Sequence, residues 1–185
     1  MKLVYDKRYW DDYYGGTYED TFHYAFPLDR VLKDFWGKIY KEPPKSFADI
    51  GCGPGYTLQV AEKLLPGAKI WGIEVQDLPE FVHPGVIKGD FLDLCSDLEP
   101  VDFLYCACSM YLSWDQQEHL IEECLRLATK AVVFANVYLE DGEGIPEDMH
   151  RKVIYSTRDA FAQYIESKGW RKAPGLYDFY TRAGD

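Results

Sequence analysis

The chain predicts an α/β fold: a seven-stranded, mostly parallel sheet with helices on both faces and an antiparallel final hairpin. Three observations predict it. From Phe47 onward, short apolar runs alternate with helical stretches, the pattern of a parallel sheet covered on both sides. Asp49-Ile50-Gly51-Cys52-Gly53-Pro54-Gly55 joins an apolar strand to a helical stretch through a glycine turn. The end of the chain reads instead as two strands about a Pro174-Gly175 turn.

Taken in order, the segment from Tyr5 to Tyr24 is dense in aromatic residues, interrupted by Gly15-Gly16. Pro27 opens a helical pattern in which Val31, Leu32, Phe35, Trp36 and Ile39 recur at spacings of three and four, and Pro43-Pro44 closes it. Strand one is expected over 46–50, a helix over 55–65, strand two over 69–74, a short crossover over 77–82, strand three over 86–89 and strand four from Val101 to Cys106. Ser113, with Gln116 three residues on, starts a helix whose buried stripe is Leu120, Ile121, Cys124, Leu125 and Leu127. The apolar, β-branched run from Ala131 to Val137 is strand five. A polar loop follows over 140–147, and Ser156 or Thr157 caps a helix to Lys168 with Phe161, Ala162 and Ile165 inward. The closing hairpin pairs 170–173 with 176–182. Residues 1–42 are expected to form an aromatic-rich lid and leading helix, and 46–185 the core, of one domain spanning 1–185.

At 185 residues, 47% of them hydrophobic, the chain is long enough for a real core. Its net charge of −11 and pI near 4.8 oppose attraction to a phosphate backbone, which disfavours a nucleic-acid partner. The basic pairs Lys41/Lys45 and Arg151-Lys152 are too short to reverse that. Five cysteines without paired spacing predict free thiols and a reducing compartment. Cys106-x-Cys108 lacks the second pair or histidine cluster that a metal site needs, so no metal is expected. No signal-like or membrane-spanning apolar run is visible, and the expected location is cytoplasmic.

The glycine turn carries the chemistry. Glycines let a backbone approach a ligand closely, and the first turn of the following helix offers N–H groups to polar ligand atoms. Tyr56 stands where a dinucleotide fingerprint needs its third glycine. Asp49, two residues before Gly51, would repel a diphosphate but suits a ligand bearing an ammonium and a sulfonium. Downstream, Ile70-Trp71-Gly72-Ile73-Glu74-Val75 ends a strand in a carboxylate at the distance where ribose hydroxyls are bound. A third element, Val86-Ile87-Lys88-Gly89-Asp90-Phe91, ends in another acid.

With these three motifs in this order, the chain from about Ser46 onward resembles the class I S-adenosylmethionine-dependent methyltransferases, a Rossmann-like family. The resemblance implies S-adenosyl-L-methionine as cofactor and residues 46–185 as its binding core. It places Asp49 near the methionine end, wraps the cofactor in Gly51, Cys52, Gly53 and Gly55, gives both ribose hydroxyls to Glu74, packs Val75 on adenine and sets Asp90, beside Phe91, against the adenine amino group. Cys106, at the end of strand four, and Tyr14, in the aromatic lid with cation–π contact to the sulfonium, complete the expected contacts.

Methyl transfer is an in-line displacement that positioning accelerates, with a base needed only for a protonated acceptor. His23, His150 and Tyr111 are the candidates for that role. His83 and His119 show no partner in the sequence and are not assigned. The segment after strand four has neither the Asn/Asp-Pro-Pro-Tyr nor the Pro-Cys motif of DNA methyltransferases, so a small-molecule or protein acceptor is expected. Three rival readings remain. Aminopropyl transfer lacks its paired aspartates where Ala107-Cys108-Ser109 stands, a nicotinamide-dependent oxidoreductase conflicts with Asp49, and an inactive cofactor-binding module or partner subunit would keep the same pocket. The oligomeric state is not legible.

Overall fold

The computed structural model describes residues 28–76, 83–108, 112, 114–135, 157–174 and 178–182. The expected aromatic lid, the 77–82 crossover, the Ser113 cap and the 140–147 loop lie outside them. Seven strands form one mixed sheet in the order β3-β2-β1-β4-β5-β7-β6, with β1-β2, β2-β3 and β4-β5 parallel and the β5-β7-β6 end antiparallel. This is the predicted Rossmann-like α/β architecture. The chain divides into two compact units, Met1–Ser96 and Asp97–Asp185.

In the first unit, the leading helix α1 is assembled from Leu28–Val31, a π-helical turn Leu32–Trp36, and Gly37–Ile39. The π turn holds one extra residue, so Val31 and Trp36, five apart, are both buried. The Trp36 indole N–H donates to the Glu42 carbonyl at 2.7 Å. Ile39, expected on the buried stripe, is 41% exposed at the end of the helix.

Strand β1 (Ser46–Ile50) pairs in parallel with β2 (Lys69–Glu74), setting Asp49 opposite Gly72, and β2 pairs with β3 (Val86–Lys88). Between β1 and β2 runs α2 (Tyr56–Leu64), which packs Leu58, Val60 and Ala61 inward and contacts both strands. After β3 come a short helix, α3 (Phe91–Leu94), and one 3-10 turn, Cys95–Asp97.

The second unit holds β4 (Val101–Cys106), α4 (Trp114–Leu127), β5 (Ala128–Phe134), α5 (Arg158–Ser167) and the antiparallel hairpin β6 (Trp170–Lys172) and β7 (Asp178–Arg182). The expected stripe of α4 is buried throughout. Strand β5 begins three residues earlier than its apolar run, because the polar pair Thr129-Lys130 is held into the ladder by β4. The Thr129 hydroxyl donates to the Val101 carbonyl at 3.1 Å, and Lys130 Nζ lies 3.3 Å from Asp102 Oδ2. Phe134, Phe161 and Tyr180 meet edge to face in the core of this unit.

Candidate functional site

The turn from β1 into α2 follows from its glycines. Gly51, Gly53 and Gly55 have φ of 79°, 54° and 92°, a left-handed run that residues with a Cβ rarely adopt. The Gly51 and Cys52 N–H groups both donate to the Ile73 carbonyl, at 2.9 and 3.1 Å, which folds the turn back over the end of β2. Gly72 makes room for it. A Cβ there would stand 2.7 Å from Cys52 Sγ and 2.9 Å from the Asp49 carbonyl oxygen.

Glu74 closes the arrangement. The residue is 5% exposed; its Oε2 accepts from Gly53 N–H at 3.0 Å and its Oε1 from Gln76 N–H at 2.7 Å. A carboxylate offers roughly four acceptor positions, so these two bonds leave capacity on both oxygens for hydroxyl donors. The sequence reading gave Glu74 to ribose alone; its clamp on Gly53 is a second task that no local pattern announces.

Asp49, in β1 two residues before the first glycine, is 2% exposed. Burial, and then the charges of Asp49 and Glu74, push the Cys52 thiol well above its ordinary pKa. That thiol is protonated and donates weakly to the Gly53 carbonyl. Besides that burial, the two acids from adjacent strands place negative charge beside the loop. Such a field repels phosphate and favours a cationic group.

Asp90 caps α3, its Oδ1 accepting from Leu92 N–H at 3.1 Å. The Gly89 N–H donates to the Glu74 carbonyl at 3.0 Å and so holds this turn beside the tip of β2. Phe91 is buried and Val75 half-buried. Cys106 ends β4 in the second unit with its side chain fully buried, 4.0 Å from the Cys108 sulfur. Tyr14, His23, Tyr111 and His150 lie outside the described residues. None of the five cysteines forms a disulfide. Among the described residues, no three His, Cys, Asp or Glu side chains converge as a metal site, and no helix is long and apolar enough to cross a membrane.

One residue that the sequence left unassigned stands inside this arrangement. His83 is buried, and the ideal Cβ of Gly55 would fall only 2.5 Å from His83 Cβ. The glycine at 55 is therefore demanded twice, by its φ and by this contact.

The sequence matches the model of a family described as FtsJ-like methyltransferase over residues 25–174. No curated protein matches it as a relative. Among solved structures, the plantazolicin methyltransferase BpumL, in complex with a monoazolic desmethylPZN analog and SAH, superposes with a TM-score of 0.71 at 16% identity, covering 96% of this chain and 90% of that one. Human N-acetylserotonin methyltransferase in complex with SAM gives 0.56 at 16% identity, covering 98% of this chain and 61% of that one. The pyocyanin biosynthetic protein PhzM gives 0.60 at 13% identity, covering 89% and 56%. At these identities the likeness is one of fold.

Proposed function

The chain belongs to the FtsJ-like methyltransferase family, and on that premise we propose that it binds S-adenosylmethionine in the glycine turn and transfers its methyl group to a small-molecule or protein acceptor. The observation that carries this reading is the pair of buried acids, Asp49 and Glu74, converging on a turn made of three left-handed glycines. The residues fit the group. Gly51, Gly53 and Gly55 give the left-handed backbone that brings the turn's main chain close to a ligand, two buried acids place negative charge beside it where a sulfonium and an ammonium would be favoured, and Glu74 keeps acceptor capacity for two ribose hydroxyls.

The roles follow from position. Asp49 would hold the methionine end, Glu74, which pins Gly53, would hold the ribose, and Val75, Asp90 and Phe91 would hold the adenine end. When bound, the cofactor would supply an electrophilic methyl carbon on a sulfonium leaving group, open to in-line displacement by the acceptor's lone pair. The protein's share is to align and to exclude water. His23, His150 and Tyr111 remain the proposed groups to take a proton from an acceptor that carries one, and Tyr14 the proposed ring over the sulfonium. Two solved neighbours were crystallised with SAH or SAM, and one of these also holds a desmethylPZN analog. Together with the net charge of −11 this favours a small-molecule or protein acceptor over a nucleic acid.

Melting the protein with S-adenosylmethionine, S-adenosylhomocysteine and NAD tests the ligand class. The first two should raise the midpoint by a few degrees and NAD should not; the reverse result overturns the assignment. Transfer of labelled methyl into an acceptor then separates an enzyme from a binding module.

A further inference from the structure

His83 joins the proposed cofactor turn to the head of β3 and to α2. Its backbone N–H donates to the Pro54 carbonyl at 2.9 Å, inside the turn, and its carbonyl accepts from Val86 N–H at 2.9 Å, at the start of β3. Its Cβ presses on Gly55. The ring Nδ1 accepts from Gly85 N–H at 3.0 Å. Gly85 in turn gives its carbonyl to Gly72 N–H at 3.0 Å, on the strand that faces Asp49 across the β1–β2 ladder. Because Nδ1 accepts, the ring proton sits on Nε2. That atom is buried 3.2 Å from Glu62 Oε2 of α2, outside hydrogen-bond geometry but well placed for electrostatic attraction.

We infer that His83 is a positioning residue for the cofactor turn: its imidazole, held between Gly85 and Glu62, locks Pro54-Gly55 against the head of β3 and so fixes where Gly53 and Gly55 meet the ligand. This rests on the reading of the turn as the S-adenosylmethionine site. The physical reason for a histidine is specific. A side chain here must accept from a buried amide at short reach and present a donor edge toward a carboxylate, while its Cβ stays within contact of a glycine. Neutral imidazole does all three. Asparagine supplies an acceptor near the Nδ1 position, but its shorter amide does not extend a donor as far as the Nε2 edge does, and leucine supplies only volume.

Three variants separate these roles, because each keeps the backbone bonds to Pro54 and Val86. His83→Ala removes the ring, His83→Leu replaces its volume, and His83→Asn restores an acceptor near the Nδ1 position. Calorimetric titration with S-adenosylhomocysteine, well below each variant's melting point, should show binding weakened on the order of tenfold in the alanine and leucine variants, with most of that loss recovered by asparagine. Leucine binding as tightly as wild type, or asparagine no better than alanine, overturns the inference, since a residue that merely fills space would behave that way. Amide exchange at Gly85 and Gly53 reads the same lock without ligand. It should quicken in the alanine and leucine variants and recover with asparagine, and equal exchange in all forms overturns the inference. Wild-type protein that binds no S-adenosylhomocysteine while showing this exchange pattern would instead overturn the cofactor assignment and leave the lock standing.

Discussion

Cys52 shows what the acids do at the scale of one residue. Burial first, and then the charges of Asp49 and Glu74, raise its thiol pKa in the folded chain, whereas in the unfolded chain it ionises near about 8.5. The folded state therefore keeps a proton that the unfolded state releases. The resulting stabilisation is complete below the unfolded value and is lost as pH rises from there toward the folded one. Cys124, raised by burial and by its bond to Cys106, acts with the same sign. Denaturation midpoints in the presence of reductant should fall from pH 7.5 to pH 10, and fall less steeply in Cys52→Ala, the difference reaching at most about 1.4 kcal/mol per pH unit. Identical slopes would mean that neither burial nor the two acids hold the Cys52 proton. The same burial makes Cys52 slow to alkylate at neutral pH compared with the half-buried Cys108.

At the scale of the element, two boundaries can be tested. Thr157 caps α5 with its hydroxyl oxygen, which accepts from Ala160 N–H at 3.0 Å. Thr157→Ala should cost about 1 kcal/mol in denaturant unfolding, and Thr157→Ser much less. Gly55→Ala adds a Cβ 2.5 Å from His83 Cβ at a φ of 92°, so it should destabilise by more than about 1 kcal/mol; wild-type stability would mean the turn is not built as described. These elements also show what the sequence could reveal. β1, β2 and β4 were readable to the residue because each is an apolar run ending at a turn or a polar break. β5 was misplaced by three residues because Thr129-Lys130 joins it through hydrogen bonds and charge from β4, which local hydrophobicity does not register. The π turn in α1 escaped for a similar reason, since a spacing of five between Val31 and Trp36 has no place in a search for threes and fours. Asp49, the three glycines and Glu74 were legible as types at fixed spacing. His83 was not, because its role depends on chain reversal at 83–86 bringing it onto Gly55.

For the whole molecule, the family places the chain among methyltransferases, and the net charge of −11 bears on what it meets. A chain of this charge should show no measurable affinity for a single-stranded RNA or DNA oligomer at physiological salt in fluorescence anisotropy. Micromolar binding would redirect the search for an acceptor toward nucleic acid. The central claim is more local: two buried carboxylates at the tips of adjacent strands select a cationic nucleoside. Calorimetric titration of S-adenosylmethionine into wild-type protein and Glu74→Ala tests it most directly. The account predicts binding by the wild type and a loss of about 2–4 kcal/mol in the variant, as two charge-assisted hydrogen bonds to ribose disappear and Gly53 is released. Equal affinity in the two proteins would contradict it.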